Sequence, residues 1–257
     1  MRSIRMTSPP SYLVLMPETG LPAPLPRTVV AVHAHPDDTD MAAGGSVALL
    51  TRDGVRVVYV IVTDGSVGGW DHEVPRDEIV ELRISEQEAA AARLGVHELV
   101  WLHHRDGSVF DSVDLREQIA HVLRREQPDL VLTHSPDRNR RSVAASHPDH
   151  LAVGAATLAA VYPDARNPFQ HTSHLREGLA PWAVPTVWLT GDEQATRIID
   201  ISEVMQTKLA AVRAHASQNP PGDGLVQAAE HWGAAIAVAA EFESGHYGEA
   251  FAELDTR

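Results

Sequence analysis

Six short apolar runs alternate along this chain with stretches whose apolar residues recur at helical spacing, and that alternation restricts the fold more than any single motif. The runs are TVVAVHA (28–34), VRVVYVIVT (55–63), ELVWLHH (98–104), LVLTHS (130–135), TVWLT (186–190) and RIIDIS (197–202). Helical periodicity covers residues 39–53, 77–95, 112–127, 148–161, 203–217 and 226–242. A strand with no polar face must be covered on both sides, and helices inserted between such strands cover a parallel sheet. The expected architecture is therefore α/β, a mainly parallel sheet with helices on both faces. Leu94–Gly95 reads as a helix end with its glycine stop. Ligands of such sheets bind beyond the carboxyl ends of the strands, near the point where strand order reverses. The loops after residues 34, 63, 104 and 135 are expected to line the site.

At 257 residues the chain is long enough for one domain with a sizeable core. Residues 1–27, containing LPAPLPR, read as a proline-rich arm, and 28–257 as a single domain without internal repeats. The formal charge of −14 argues against nucleic acid or an anionic membrane surface as the main partner. No apolar run approaches the roughly 18–20 residues that cross a bilayer. The run YLVLM near the N-terminus is shorter than a signal-peptide core and lacks a small-residue cleavage site after it. There is no cysteine, which excludes disulfides and thiolate metal sites. Together these features are compatible with a cytoplasmic protein; a homo-oligomer is compatible with the sequence.

The chemistry-bearing residues fall in two of the expected loops. After the first run stands HPDDTD, with His35, Asp37 and Asp38 at the mouth of a helix. Side-by-side carboxylates repel and are costly to desolvate without a cation. After the fourth run stands SHPDH, with His147 and His150 three apart, as His35 and Asp38 are. Two such loops at one sheet edge can build a site of two histidines and one carboxylate, leaving a position open for water as catalytic zinc sites do. A bound zinc lowers the pKa of its water to about 7 and polarises a carbonyl. Only one of Asp37 and Asp38 can easily point at the same ion as His35, which frees the other for proton transfer. Capping of a helix start by the aspartates is the plain alternative, but it explains neither His35 nor the second cluster.

AHPDD followed about a hundred residues later by HPDH resembles the LmbE-like (PIG-L) superfamily of zinc-dependent de-N-acetylases. That superfamily includes the deacetylases of acetylglucosaminyl-phosphatidylinositol, of mycothiol and bacillithiol biosynthesis and of glycopeptide antibiotics. The segments GG (44–45), TDG (63–65), RISEQEAAAARLGV (83–96), DG (106–107) and KLAAVRAHASQ (208–218) resemble family segments in the expected order. The resemblance implies a Rossmann-like fold, a Zn2+ cofactor (Fe2+ or another divalent metal also fits) and a small acylated amino-sugar as substrate. It further implies His35, Asp38 and His150 as metal ligands and Asp37 as the base. His147 would stabilise the oxyanion, with Asp149 holding and charging its ring. Arg83 and Asp106 would bind sugar hydroxyls and His215 would line the pocket; Arg83 could equally pair with Glu86 or Glu78 on its own helix, and His215 could close a helix end.

Two features depart from the family pattern. Many members carry glutamate where this chain has Thr39, and DDTD matches a branch with the acid one residue later, here Asp40. The basic loop 138–141 matches no family motif. His33, His103, His104 and His134 read as structural, Gly68–Trp70 as a turn with Trp70 a candidate pocket wall. Gly44–Gly45 is no dinucleotide fingerprint, since it lies inside the helix. The expected activity is removal of an N-acyl group, acetyl above all, from a GlcNAc-type conjugate. Alternatives are an amidase with the same zinc site acting on a thiol conjugate or secondary metabolite, an iron(II) oxygenase, a nucleotide-binding module, and a non-catalytic metal-binding relative.

Overall fold

The computed structural model describes residues 17–69, 71–139, 143, 146–219 and 223–257. Its strands are β1 (Glu18–Thr19), β2 (Thr28–His33), β3 (Arg56–Thr63), β4 (Glu98–His104), β5 (Leu130–His134), β6 (Thr186–Thr190), β7 (Arg197–Asp200) and β8 (Gly248–Asp255). They form one sheet in the order β1-β7-β8-β6-β5-β2-β3-β4, in which only β8 runs antiparallel to its neighbours. The helices are α1 (Asp38–Arg52), α2 (Arg76–Leu94), α3 (Val113–Glu126), α4 (Pro148–Ala159), α5 (Thr172–Arg176), α6 (Met205–Ala214) and α7 (Gly224–Ala239).

The expected α/β architecture is the observed one, and its cause is visible residue by residue. Alternate residues of β2 enter opposite layers: Val29 and Ala31 pack with α1, α2, α6 and α7, while Val30 and Val32 pack with α3 and α4. A strand buried on both faces needs apolar residues at every position, which is why β2 and β3 read as unbroken runs. Truncating such a residue, for example Leu132 to alanine, costs about 2–5 kcal/mol. Gly95 closes α2 at φ 73°, a left-handed position that glycine takes without strain.

The run at 197–202 stops as a strand at Asp200. The carboxylate of Asp200 accepts from the Ser202 N–H at 2.9 Å and from its hydroxyl at 2.5 Å, turning the chain into a short 3-10 turn. The helix expected over 203–217 ends at Ala214, where His215 leaves helical conformation. Strands β1 and β8 were not anticipated. GEAFAELD has no β-branched residue, and its strand identity comes from antiparallel pairing with β6 and β7.

This topology positions the site. From β2 the chain runs outward through β3 and β4, then returns to the other side of β2 as β5. The strand order therefore reverses between β2 and β5, and the loops carrying both histidine motifs open there.

Candidate active site

Helix α1 begins directly after β2. Asp37 is its N-cap, at φ 89° and ψ −30°, and Asp38 lies in the first turn. The turn folds back on itself: the His35 backbone N–H donates to Asp38 Oδ2 at 2.7 Å, and His35 Nδ1 lies 3.2 Å from the same oxygen. Across the switch point, α4 is capped by His147 with Pro148 at its first position, and His150 sits in its first turn. Gly154 permits this approach, because a Cβ there would stand 2.4 Å from the His134 carbonyl oxygen. His150 Nε2 consequently lies 3.1 Å from Asp38 Oδ1 and 3.2 Å from His35 Nδ1.

The side chains of His35, Asp38 and His150 thus form a triangle of residues: the two ring nitrogens lie 3.2 Å apart, and each faces one oxygen of the Asp38 carboxylate, Oδ2 at 3.2 Å from His35 and Oδ1 at 3.1 Å from His150. Bonds of about 2.0–2.2 Å to a tetrahedral ion place its ligand atoms about 3.4 Å apart. Two imidazole nitrogens facing each other beside a carboxylate are the donor set of a divalent cation, and these residues fit one. Burial works against charging the His35 ring, but the Asp38 charge and bonds to Asp106 (3.1 Å), Asp149 (3.3 Å) and Asp38 push its pKa up to about 12. Burial likewise opposes ionisation of Asp38, yet the imidazoles of His150, His35 and His134 hold its carboxyl well below the usual range.

His134 also faces this cluster, with Nε2 3.3 Å from Asp38 Oδ2. That nitrogen already accepts the Ala34 backbone N–H at 3.0 Å, so its lone pair is occupied. Burial, then the neighbouring His150, pushes its pKa down to about 4. Its ring stacks on His150 with centroids 3.9 Å apart, and its ligand atom lies within 4.8 Å of those of Asp38 and His150. His33 is structural: its ring nitrogens contact the hydroxyls of Thr39 at 3.0 Å and Thr190 at 3.3 Å.

Asp37 stands beside the triangle with its carboxylate on Arg83, at 3.0 Å. Burial raises its pKa to about 6 against the opposing pull of Arg83. Asp149 departs from the expected picture. Its carboxylate accepts the backbone N–H groups of Gly107 at 2.8 Å and Val109 at 3.1 Å and faces His35, while its own N–H donates to His147 Nδ1 at 3.2 Å. The His147 pKa is lowered, by burial first and then by His35 and His150, with Asp149 and Asp106 opposing. The ring is oriented by the backbone of Asp149, whose carboxylate is committed to the 107–109 loop and to His35.

The three residues expected to meet substrate lie behind the site. Arg83 is 3% exposed and pairs with neither Glu78 nor Glu86; it donates to Asp37, to the Pro36 carbonyl at 2.6 Å and to the Gly65 carbonyl at 3.1 Å. Asp106 is buried, accepting from the Val67 N–H at 3.0 Å and facing His35. His215 is fully buried, with Nε2 2.8 Å from Asp40 Oδ2. In each case the reason is the same: an acidic or basic group left inside the fold takes the nearest counter-group. Trp70, Arg140 and Arg141 lie outside the described residues.

A cavity of about 530 Å³ opens from the triangle. Asp37, Asp38 and His150 form one end, Met41, Trp232 and Ile236 an apolar wall, and the buried pair Lys208–Glu249, at 2.6 Å, the floor. A larger cavity of about 850 Å³ lies at the amino ends of the central strands, between residues 18–27 and Trp188, Arg197 and Glu253, far from these groups. Sequence reasoning missed the cavity wall on α7 and β8, which holds no motif. It also missed Gln87, whose spacing of four from Arg83 on α2 was the available signal.

The family model described as PIG-L: GlcNAc-PI de-N-acetylase matches residues 30–161, from β2 to just past α4 and so across both histidine motifs. The chain belongs to the PIG-L family. Diacetylchitobiose deacetylase of Thermococcus kodakarensis is 35% identical over 194 residues, covering 76% of this chain and 71% of that protein. Among solved structures, N,N'-diacetylchitobiose deacetylase from Pyrococcus horikoshii shares 32% identity with a TM-score of 0.81, over 90% of this chain and 85% of that one. The fold also carries other chemistry. GalB, the 4-carboxy-2-hydroxymuconate hydratase of Pseudomonas putida, has a TM-score of 0.75 at 21% identity, over 90% of this chain and 97% of that one. The reaction must therefore be read from the site. No helix among the described residues is long and apolar enough to cross a membrane.

Proposed function

We propose that this protein is a zinc-dependent amidohydrolase that removes the N-acetyl group of a small GlcNAc-type sugar of the diacetylchitobiose kind. The observation that carries the reading is the convergence of the His35 and His150 ring nitrogens, 3.2 Å apart, on the two oxygens of the Asp38 carboxylate at 3.1–3.2 Å, with Asp37 beside them. These three residues would hold the ion, which when bound supplies Lewis acidity to water and to the amide carbonyl.

The chain's own residues supply the proton path. Asp37, its pKa about 6, takes a proton from the attacking water near neutral pH and returns it to the leaving amine. Its ion pair with Arg83 keeps the carboxylate ionised and fixed in direction. His147, whose Nδ1 accepts the Asp149 N–H, bears its proton on Nε2 and donates a hydrogen bond through it to the carbonyl oxygen as negative charge develops there. Asp149 positions both His147 and the 107–109 loop. Trp232 and Ile236 offer an apolar surface to the face of a sugar ring.

The test is a mass-spectrometric screen of the zinc-loaded protein against acylated amino sugars and thiol conjugates. Loss of one acetyl group from diacetylchitobiose or a related GlcNAc conjugate is the expected result. An unchanged panel with the metal bound would overturn the assignment.

A further inference from the structure

We infer that Gln87 is a positioning residue that holds the proton carrier Asp37 in its working conformation, an inference that rests on reading Asp37 as the base. Asp37 has φ 89°, a region that residues with a side chain rarely adopt. Such a residue persists only where its surroundings over-determine it. Here the determinants are specific. The peptide unit joining Pro36 to Asp37 is gripped at both ends from one face of α2: Arg83 donates to its carbonyl at 2.6 Å, and Gln87 Oε1 accepts its N–H at 2.9 Å. Arg83 and Gln87 are one helical turn apart, so they act as two jaws on a single peptide plane.

The orientation of Gln87 is itself fixed. Its Nε2 donates to Asp40 Oδ2 at 2.9 Å. Asp40 is locked by the Tyr59 hydroxyl at 3.1 Å and His215 Nε2 at 2.8 Å. Only the amide nitrogen can face the Asp40 carboxylate, so the amide oxygen must face the Asp37 N–H. All four residues are at most 2% exposed, and water cannot substitute for the bonds. The network gives Asp40 and His215 a role outside the pocket: they orient the side chain that orients the base. Gln87 has no bond to His35, Asp38 or His150 and does not line the cavity.

The experiment compares Gln87→Leu, Gln87→Glu and the double variant Gln87→Glu/Asp40→Asn with the wild type and Asp37→Ala, using acetate release from diacetylchitobiose. Gln87→Leu should lower kcat about 10–100-fold, the scale of a catalytic group misplaced by an ångström. KM and zinc per chain should not change, and exchange of the Asp37 amide proton, followed by NMR, should accelerate. Gln87→Glu sets two carboxylates against each other and should lose activity. Adding Asp40→Asn restores a donor to the new carboxylate and should recover at least about tenfold in kcat, a rescue that a merely structural residue would not give. If Gln87→Leu fails to fold, the rescue pair carries the test. Wild-type kcat in Gln87→Leu, zinc loss parallel to activity loss, or a double variant no better than Gln87→Glu would overturn the inference. Activity retained in Asp37→Ala would instead remove the base assignment beneath it.

Discussion

The Arg83 guanidinium and the Asp37 carboxylate form a buried ion pair at 3.0 Å, joining α2 to the first turn of α1 beside the donor triangle. Burial alone would neutralise Asp37; Arg83 opposes it, and the balance leaves the carboxyl pKa at about 6. An acid so placed is ionised at neutral pH but close enough to it to carry a proton both ways.

Activity should therefore fall on the acid side as Asp37 is protonated. Arg83→Gln removes the charge that favours the ionised form, so the acidic limb of kcat against pH should move to higher pH. A limb that stays in place would assign it to another group.

Asp37 and Asp38 should separate cleanly. Asp37→Asn should keep zinc and lose about 10²–10⁴-fold in kcat, the usual range for a positioned proton carrier. Asp38→Asn should lose stoichiometric zinc. Metal analysis of both variants, with acetate release, checks the pair; the opposite pattern would exchange their roles.

Metal binding should release protons. In the metal-free chain His35 is charged at neutral pH, its pKa raised to about 12 by Asp38, Asp106 and Asp149 against the effect of burial. A raised pKa means that this pairing stabilises the apo fold fully below the ordinary histidine value and is lost only as pH approaches about 12. An imidazole ligand must be neutral, so zinc should displace about one proton from His35, and affinity should rise with pH. Calorimetry in buffers of different ionisation enthalpy measures this. Binding heats independent of buffer would show that no proton leaves.

Gly154 sets how closely α4 approaches β5. Gly154→Ala would place a methyl group 2.4 Å from the His134 carbonyl oxygen, a backbone atom that cannot turn aside. The variant should lose about 1–3 kcal/mol of stability and bind zinc more weakly, because His150 shifts with the helix. Chemical denaturation and zinc titration read the two effects.

What was legible in the sequence follows from how local each determinant is. The doubly buried strands β2 and β3 declare themselves by unbroken apolar runs, and both HPD turns fall at strand ends where the parallel topology puts them together. β8 was invisible because GEAFAELD becomes a strand only through partners distant in sequence. Arg83, Asp106 and His215 are picked out by the sequence as substrate contacts, but their burial is not legible there. Their side chains are drawn inward by Asp37, His35 and Asp40, and such pairings depend on three-dimensional proximity rather than spacing. The orientation of Asp149, toward the 107–109 loop instead of the His147 ring, is a tertiary fact of the same kind.

The most direct test of the account is to strip the protein of metal and follow acetate release from diacetylchitobiose as zinc is added back. The account predicts no turnover in the stripped protein, a rise in proportion to zinc that ends at about one equivalent per chain, and no such rise in His150→Ala. Acetate release that is indifferent to stripping, or absent at every zinc level, would contradict it.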